Sequence, residues 1–322
     1  MKSSRMHRCI EWAKTHWHTI RKFVVVLFVA LVAVLLGVAV FHVEWGDVLA
    51  AIQQLPATTL VMAGSITVAS YFLYSCFDLL GKRYTQHGLA WWRSMMVGCI
   101  SYAFTMNMGA PVGGIGLRMR LYTKQGLSPG VVARIMGFSI ATNWMGYVLL
   151  AGIVFALGKV QLPADWELGN GALRLIGIGM VLAVLAYVLL CAFSRVRTWT
   201  VHGHNIELPS LPLALAQLTI AMLNWALMGA VIYVLLQQKV EYPVVLGALL
   251  ISAVAGVITH IPGALGVLEG VFIALLASPD LPRFEVLGAI LVYRAVYYLI
   301  PLLLTGTWYL VAEARINGPK AA

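Results

Sequence analysis

Glu269 and Arg294 stand inside apolar runs, in "ITHIPGALGVLEG" and "VYRAVYYLIP". A charge at the centre of a bilayer costs about 2.5–3.5 kcal/mol on insertion scales. Glu269 is therefore expected to face a cavity, to bind a cation or proton, or to pair with a base, and Arg294 is the intramembrane base within reach of such a pairing. A buried pair is weak evidence for stability, which leaves a structural role, fixing helix register, beside a functional one. His260 precedes the proline of the same stretch and reads either as a proton relay or as a satisfied structural group.

A second set of chemistry-bearing residues lies earlier in the chain. Arg118 comes just after "GGIG", and Arg120 and Arg134 follow it. A guanidinium binds phosphate as a bidentate fork, the chemistry of a lipid headgroup contact. Arg120 reads more simply as an anchor at the membrane face, whereas Arg118 and Arg134 are placed to reach inward. Asp78, near the end of an apolar run, is a partner for one of them or a residue snorkelling to the interface.

Glycine and proline mark where the backbone near these charges must leave the helix: Pro111, Gly113, Gly114 and Gly116 in one region, Pro262, Gly263 and Gly266 in the other. Irregular backbone at membrane depth is tolerated only where protein or a water-filled cavity satisfies its polar groups. A half-helix beginning near Ala264 would aim free N–H groups inward, a site suited to an anion. The same glycines would also let helices pack closely.

The elements that position these residues follow from composition. Of 322 residues 61% are hydrophobic and 11% charged, with a mean hydropathy of +0.87. Such a chain is an integral membrane protein of the all-α class. Its net charge of +10 does not point to nucleic acid, because the basic residues sit in short segments between apolar runs. The cysteines Cys9, Cys76, Cys99 and Cys191 have no paired metal-ligand spacing, and no metal or cofactor is expected.

About 20 apolar residues cross a bilayer core. Full spans are expected at 23–43, 58–80, 131–157, 173–193, 213–236 and 286–311, with broken, re-entrant hairpins near 94–116 and 243–277. The chain thus divides into a basic cytoplasmic tail (1–22), a single transmembrane domain (23–311) and a short cytoplasmic tail (312–322). Seventeen of the 22 Lys and Arg residues then fall on the cytoplasmic side. Four (Lys159, Arg174, Lys239, Arg283) fall outside, and Arg294 lies within a span. This bias requires the first hairpin to enter and leave by one face. Gly113–Gly116 and Gly263–Gly266 are both G-x-x-G, 150 residues apart, and Ser128-Pro129 and Ser278-Pro279 share that offset. Three full spans separate the regions, so the second hairpin is expected to be inverted relative to the first, a recurrent transporter plan. Asn143-Trp144 and Asn224-Trp225 occur in two spans, where the asparagines are expected to hydrogen-bond between helices.

No H-E-x-x-H, G-x-S-x-G or Walker loop is present, so the chain does not read as an enzyme. Four segments carry a family likeness: "PVGGIGLRMRLYTKQGL", "SIATNWMGYVLLAG", "VITHIPGALGVLEGVFIALL" and "YRAVYYLIPLLL". Together they resemble the YbhN-type bacterial inner-membrane proteins, related to the flippase domain of lysylphosphatidylglycerol synthase. Pro111 departs from the family's pattern upstream of the first loop. The resemblance implies a multi-pass inner-membrane protein handling phospholipid, with Gly113, Gly114, Gly116 and Arg118 in one hairpin. Pro262, Gly263, Gly266 and Glu269 would form the other, with Arg294 in the last span. The expectation is a translocase of anionic or aminoacylated lipid without ATP hydrolysis. Alternatives are a non-transporting subunit of a lipid-synthesis or envelope complex, and an intramembrane lipid-modifying enzyme using Glu269 and His260. Membrane phospholipids are the expected partners, nucleic acid is not, and self-association is left open.

Overall fold

In a bilayer each backbone N–H and C=O needs a partner within the protein, and for an apolar run of this length that means a helix. The computed structural model describes residues 45–317 except 164, 165, 167, 168, 202 and 203. The expected tail at 1–22, the first span at 23–43 and the last residues, 318–322, lie outside the described residues.

A short helix α1 (Trp45–Gln53) precedes α2 (Ala57–Thr85) and α3 (Trp91–Met108). A π-helical segment, Ala110–Leu117, leads into α4 (Arg118–Lys124). Then come α5 (Pro129–Ala156) and α6 (Asn170–Phe193). An antiparallel hairpin of β1 (Thr198–Val201) and β2 (His204–Glu207) connects to α7 (Leu211–Leu235). The chain continues through α8 (Tyr242–Thr259), a 3-10 turn at Pro262–Ala264 and α9 (Val267–Leu276). It ends with α10 (Arg283–Tyr293), a second π-helical segment at Arg294–Leu299, and α11 (Ile300–Asn317). Prolines fall in the first turns of α5, α7 and α8, where a missing N–H costs nothing.

Six helical stretches among the described residues are long and apolar enough to cross a membrane. Five coincide with expected spans. The sixth is α8, which the sequence assigns to the first limb of the second hairpin. Large apolar side chains such as Val61, Val68, Phe72, Leu175, Leu182 and Leu303 are exposed on the outside of the helices, as lipid-facing residues should be. The β hairpin is the one paired-strand element in the described residues, within the loop expected at 194–212.

Side chains define the two ends of the bundle. At one end Lys239, between α7 and α8, pairs with Glu285 at the start of α10. Both limbs of the α8–α9 region therefore meet that end. At the other end the Tyr84 hydroxyl, at the end of α2, donates to the Glu207 carbonyl just before α7. Tyr122 of α4 reaches back to Asp78 of α2, and its ring stands 6.1 Å from that of His87, ahead of α3. The α3–α4 region thus begins and ends at this second end. The two broken regions fold back on themselves from opposite ends of the bundle.

Their tips meet inside. The first break is not at the G-x-x-G, which lies within the π-helical segment, but at Gly109, with φ +84°. Gly113 serves close packing instead. A Cβ there would come within 2.1 Å of the Thr105 backbone nitrogen, so only glycine lets the segment lie against α3. In the second break His260, Gly263, Ala264 and Gly266 all have positive φ. A Cβ on Gly263 would stand 3.4 Å from the Met106 carbonyl oxygen and 3.6 Å from that of Asn107, at the end of α3.

Candidate functional site

The first charged residues form a closed pair. Asp78 of α2 is fully buried, and Arg118, the first residue of α4, is 2% exposed. The Arg118 Nε donates to Asp78 Oδ2 at 3.3 Å, and its Nη2 lies 3.0 Å from Oδ1. The Tyr122 hydroxyl donates to Oδ2 and the Ser139 hydroxyl to Oδ1, each at 2.9 Å. The guanidinium also lies 5.8 Å from the centre of the Tyr74 ring. Carboxylate, base and hydroxyls thus tie α2, α4 and α5 together. Arg134 is elsewhere: it is half exposed at the end of the bundle, 3.5 Å from the Glu207 carboxylate and over the Tyr84 ring.

The second pair joins Glu269 of α9 to Arg294 at the start of the last π-helical segment. Arg294 Nε donates to Glu269 Oε1, and Nη2 donates to Oε2 at 3.1 Å. Nη1 donates to the Gly263 carbonyl at 2.8 Å and Nη2 to the Ala264 carbonyl at 2.9 Å. Four of the five guanidinium N–H groups are spent in this way. The guanidinium also stacks 5.2 Å over Tyr298.

The expected inward-facing helix end takes a different form. The helix begins at Val267 rather than near Ala264, and the Gly266 N–H donates to Glu269 Oε2 at 2.9 Å. The carboxylate that the sequence places beside an anion site caps the N-terminus of its own helix. His260 closes the end of α8 with a left-handed backbone, is exposed, and turns its Nδ1 to the Ile258 carbonyl at 2.9 Å. Pro262 sits in the 3-10 turn, and Pro111 lies in the first π-helical segment with Gly113, Gly114 and Gly116.

Between these pairs lies a hydroxyl network that, Asn224 apart, holds none of the residues singled out by sequence. Ser70 donates to Asn224 Oδ1 at 2.9 Å and shares a 2.7 Å bond with the Tyr297 hydroxyl. Tyr297 shares a second, at 2.8 Å, with Tyr102. The cause of the adjoining π-helical segment is in the sequence. Pro301 follows Tyr297 by four residues and has no N–H to return to its carbonyl. The Tyr71 hydroxyl supplies the missing donor at 3.0 Å, and Asn107 Nδ2 donates to the Tyr298 carbonyl at 3.1 Å. Tyrosine counts as apolar in a hydropathy profile, so the network is invisible there. The signal that would have found it is the proline four residues after a tyrosine in the last span.

The two breaks enclose a cavity of about 260 Å³. Tyr102, Tyr298 and Trp225 supply aromatic walls, and Thr105, Ser252 and Asn143 supply polar groups. Neither Arg118, Arg134, Glu269 nor Arg294 is among its lining residues. Asn224 bridges helices as expected, bonding Ser70. Asn143 does not: its carbonyl accepts from Trp225 Nε1 at 3.4 Å, while its side-chain amide lines the cavity and has no protein hydrogen bond among the described residues. A larger apolar recess, about 770 Å³, lies between α2, α3 and α11. Tyr71 lines that recess and Tyr102 the inner cavity, with ring centres 4.8 Å apart.

Lipid-facing helices surrounding paired charges, a hydroxyl network and a polar-lined cavity define a multi-pass membrane protein with an internal polar site. The chain belongs to the family described as the lysylphosphatidylglycerol synthase TM region, whose profile matches residues 24–305. It is 44% identical over 311 residues to the inner membrane protein YbhN of Escherichia coli strain K12, covering 96% of this chain and 98% of that protein. It is 31% identical over 297 residues to an uncharacterized protein of Synechocystis, covering 89% of this chain and 91% of that one. A third similarity, 31% over 84 residues, is to a phosphatidylglycerol lysyltransferase of Staphylococcus haemolyticus and covers 25% of this chain and 10% of that enzyme. The likeness carried by the four sequence motifs is thus family membership, and the family is defined on a membrane region rather than on a catalytic one.

Proposed function

We propose that the protein is a phospholipid translocase of the bacterial inner membrane, moving lipids between leaflets without ATP hydrolysis. The observation that carries this reading is the cavity formed where two fold-back regions meet, each held to a neighbouring helix by a buried acid–base pair. In this reading the two regions re-enter the bilayer from opposite faces as an inverted pair, both termini are cytoplasmic, and rocking of the halves alternates access to the cavity. The headgroup takes the inner route while the acyl chains stay in the bilayer, beside the apolar recess outside the Tyr71–Tyr102 layer. Arg134 meets the phosphate at the rim, and Arg118 and Arg294 are the inner phosphate contacts when their pairs open. Family membership and the partial likeness to a lysyltransferase support a lipid of anionic or aminoacylated headgroup as cargo.

The test is leaflet transfer of fluorescent phospholipids in vesicles containing the purified protein, with and without an imposed proton gradient. Transfer well above empty vesicles, slowed by Glu269→Gln and Arg294→Ala, is the expected result. Rates equal to empty vesicles across several headgroups would end the translocase reading. New lipid products by mass spectrometry would replace it with an enzyme, and a partner-dependent phenotype without transfer or products would replace it with a subunit role.

A further inference from the structure

The charges around the inner cavity are already spent. Arg118 is bound to Asp78, and Arg294 gives four hydrogen bonds to Glu269 and two carbonyls. Each pair has no net charge, and the N-terminus of α9 is closed by Glu269. The helix ends that do reach the cavity are of the opposite kind. Thr105 and Met106, in the last turn of α3, line it, as do Gly256 and Val257, in the last turn of α8. Helix C-termini carry the negative end of the backbone dipole. Pro111 has no N–H to offer the Asn107 carbonyl four residues before it, and that oxygen faces the tip of the second break at Gly263. Aromatic rings and the unpartnered amide of Asn143 complete the lining. Helix C-termini, amide oxygen and ring faces all attract cations, and no free guanidinium or ammonium lines the wall to hold an anion.

We infer that this cavity is a cation subsite that takes the ammonium group of a lipid headgroup, with Asn143 as the residue that selects it. The volume is below the roughly 300–1,000 Å³ of pockets that enclose a drug-sized ligand. It therefore holds the end of a headgroup and leaves phosphate and acyl chains outside. The aromatic walls favour an organic ammonium over an alkali ion, which needs a full shell of oxygens. This assignment rests on the translocase reading for its cargo and goes beyond it in naming the chemistry that the site reads.

The experiment uses the full chain in a maltoside detergent and titrates it calorimetrically with dihexanoyl phosphatidylethanolamine or dihexanoyl phosphatidylglycerol. The ethanolamine lipid is expected to bind at least about ten-fold more tightly, the worth of one hydrogen bond to a charged group. Asn143→Leu should remove that preference and Asn143→Asp should increase it, both with melting temperatures near that of the unaltered chain, because the amide holds no other residue. Ethylammonium chloride should compete, and sodium chloride at equal ionic strength should not. Equal affinity for the two lipids, or a preference untouched by Asn143→Leu, would overturn the assignment. Equal competition by sodium would overturn its headgroup part and make the cavity a free-cation site. Leaflet transfer without amine preference defeats this inference alone, and amine binding without transfer defeats the translocase reading alone.

Discussion

The two acid–base pairs are mirror images in charge. In the first the acid, Asp78, is on the long helix and the base, Arg118, is on the broken region. In the second the base, Arg294, is on the long helix and the acid, Glu269, is on the broken region. Their surroundings differ more than their charges. Asp78 and Arg118 are sealed, and the partners that complete the site are side chains, Tyr122 and Ser139. Glu269 and Arg294 keep 14% and 10% of their side-chain surface, and half of the arginine's bonds go to the backbone of the break itself. The first pair is a pillar between helices. The second sets the shape of the loop it touches, so changes to it should alter the break before they alter the fold.

The sharpest way to break this comparison is to remove Asp78. Asp78→Ala leaves Arg118 buried without its carboxylate and is expected to cost about 3–5 kcal/mol, read as a large drop in melting temperature in detergent. The double change Asp78→Leu with Arg118→Met removes both charges and should recover most of that loss. A single variant that melts like the unaltered chain would show that the pair is no pillar.

Arg294→Lys comes next. A lysine keeps the charge but cannot supply the fork that reaches Glu269, Gly263 and Ala264 together. The expected loss is smaller, about 1–3 kcal/mol, and its mark is local: faster amide hydrogen exchange across 260–266, with the α2–α5–α7 core unchanged. Uniformly faster exchange would instead make this pair a pillar like the first.

These two pairs also show what a sequence can and cannot reveal about such a site. Charges in apolar runs are legible because hydrocarbon leaves them few options, and so Glu269 could be matched with Arg294 and Asp78 with an arginine. The family glycines were legible as breaks, but not which of them turns the chain. Gly113–Gly116 stay helical while Gly109 takes the positive φ. That choice depends on how closely the segment lies against α3, a tertiary fact. The Asn143 and Asn224 dipeptides look alike in sequence, yet one bridges helices and the other lines a cavity. Which face of a helix a residue takes depends on packing, and helices apolar all round carry no stripe to announce it.

Ala264 tests the second break from its backbone. It is a non-glycine residue at φ +49°, where a left-handed conformation costs roughly 1–2 kcal/mol, and its carbonyl is held by Arg294. Ala264→Gly relieves the crowding but adds freedom to the unfolded chain. The expected net is a gain of about 0.5–1 kcal/mol, visible as a raised melting temperature. In the Arg294→Lys background the same change should help less, because the carbonyl it positions has lost its donor. Equal gains in both backgrounds would show that the guanidinium does not shape this turn.

The smallest effect belongs to the loop beside the first pair. His87 is buried between α2 and α3, where its Nδ1 accepts from the Leu89 N–H at 3.3 Å. Burial pushes its pKa below the ordinary value, the Lys82 ammonium lowers it further, and Asp78 pulls the other way. The unfolded chain therefore takes up this proton first as pH falls. The stability that His87 contributes is complete above the ordinary histidine range near 6.5 and is lost as pH drops below it toward the folded value. A protonated ring would also break the bond from Leu89. Melting temperature should fall between pH 7.5 and 5.5 in the unaltered chain and fall less in His87→Phe, a shape-conserving change that keeps the edge-on contact with Tyr122. The Asp78–Arg118 pair sits within this histidine's electrostatic reach, whereas the Glu269–Arg294 pair does not figure among the groups that shift it. Neutralising Asp78 should thus steepen the pH dependence and neutralising Glu269 should leave it alone, which separates the two pairs by titration as mutation separates them by stability.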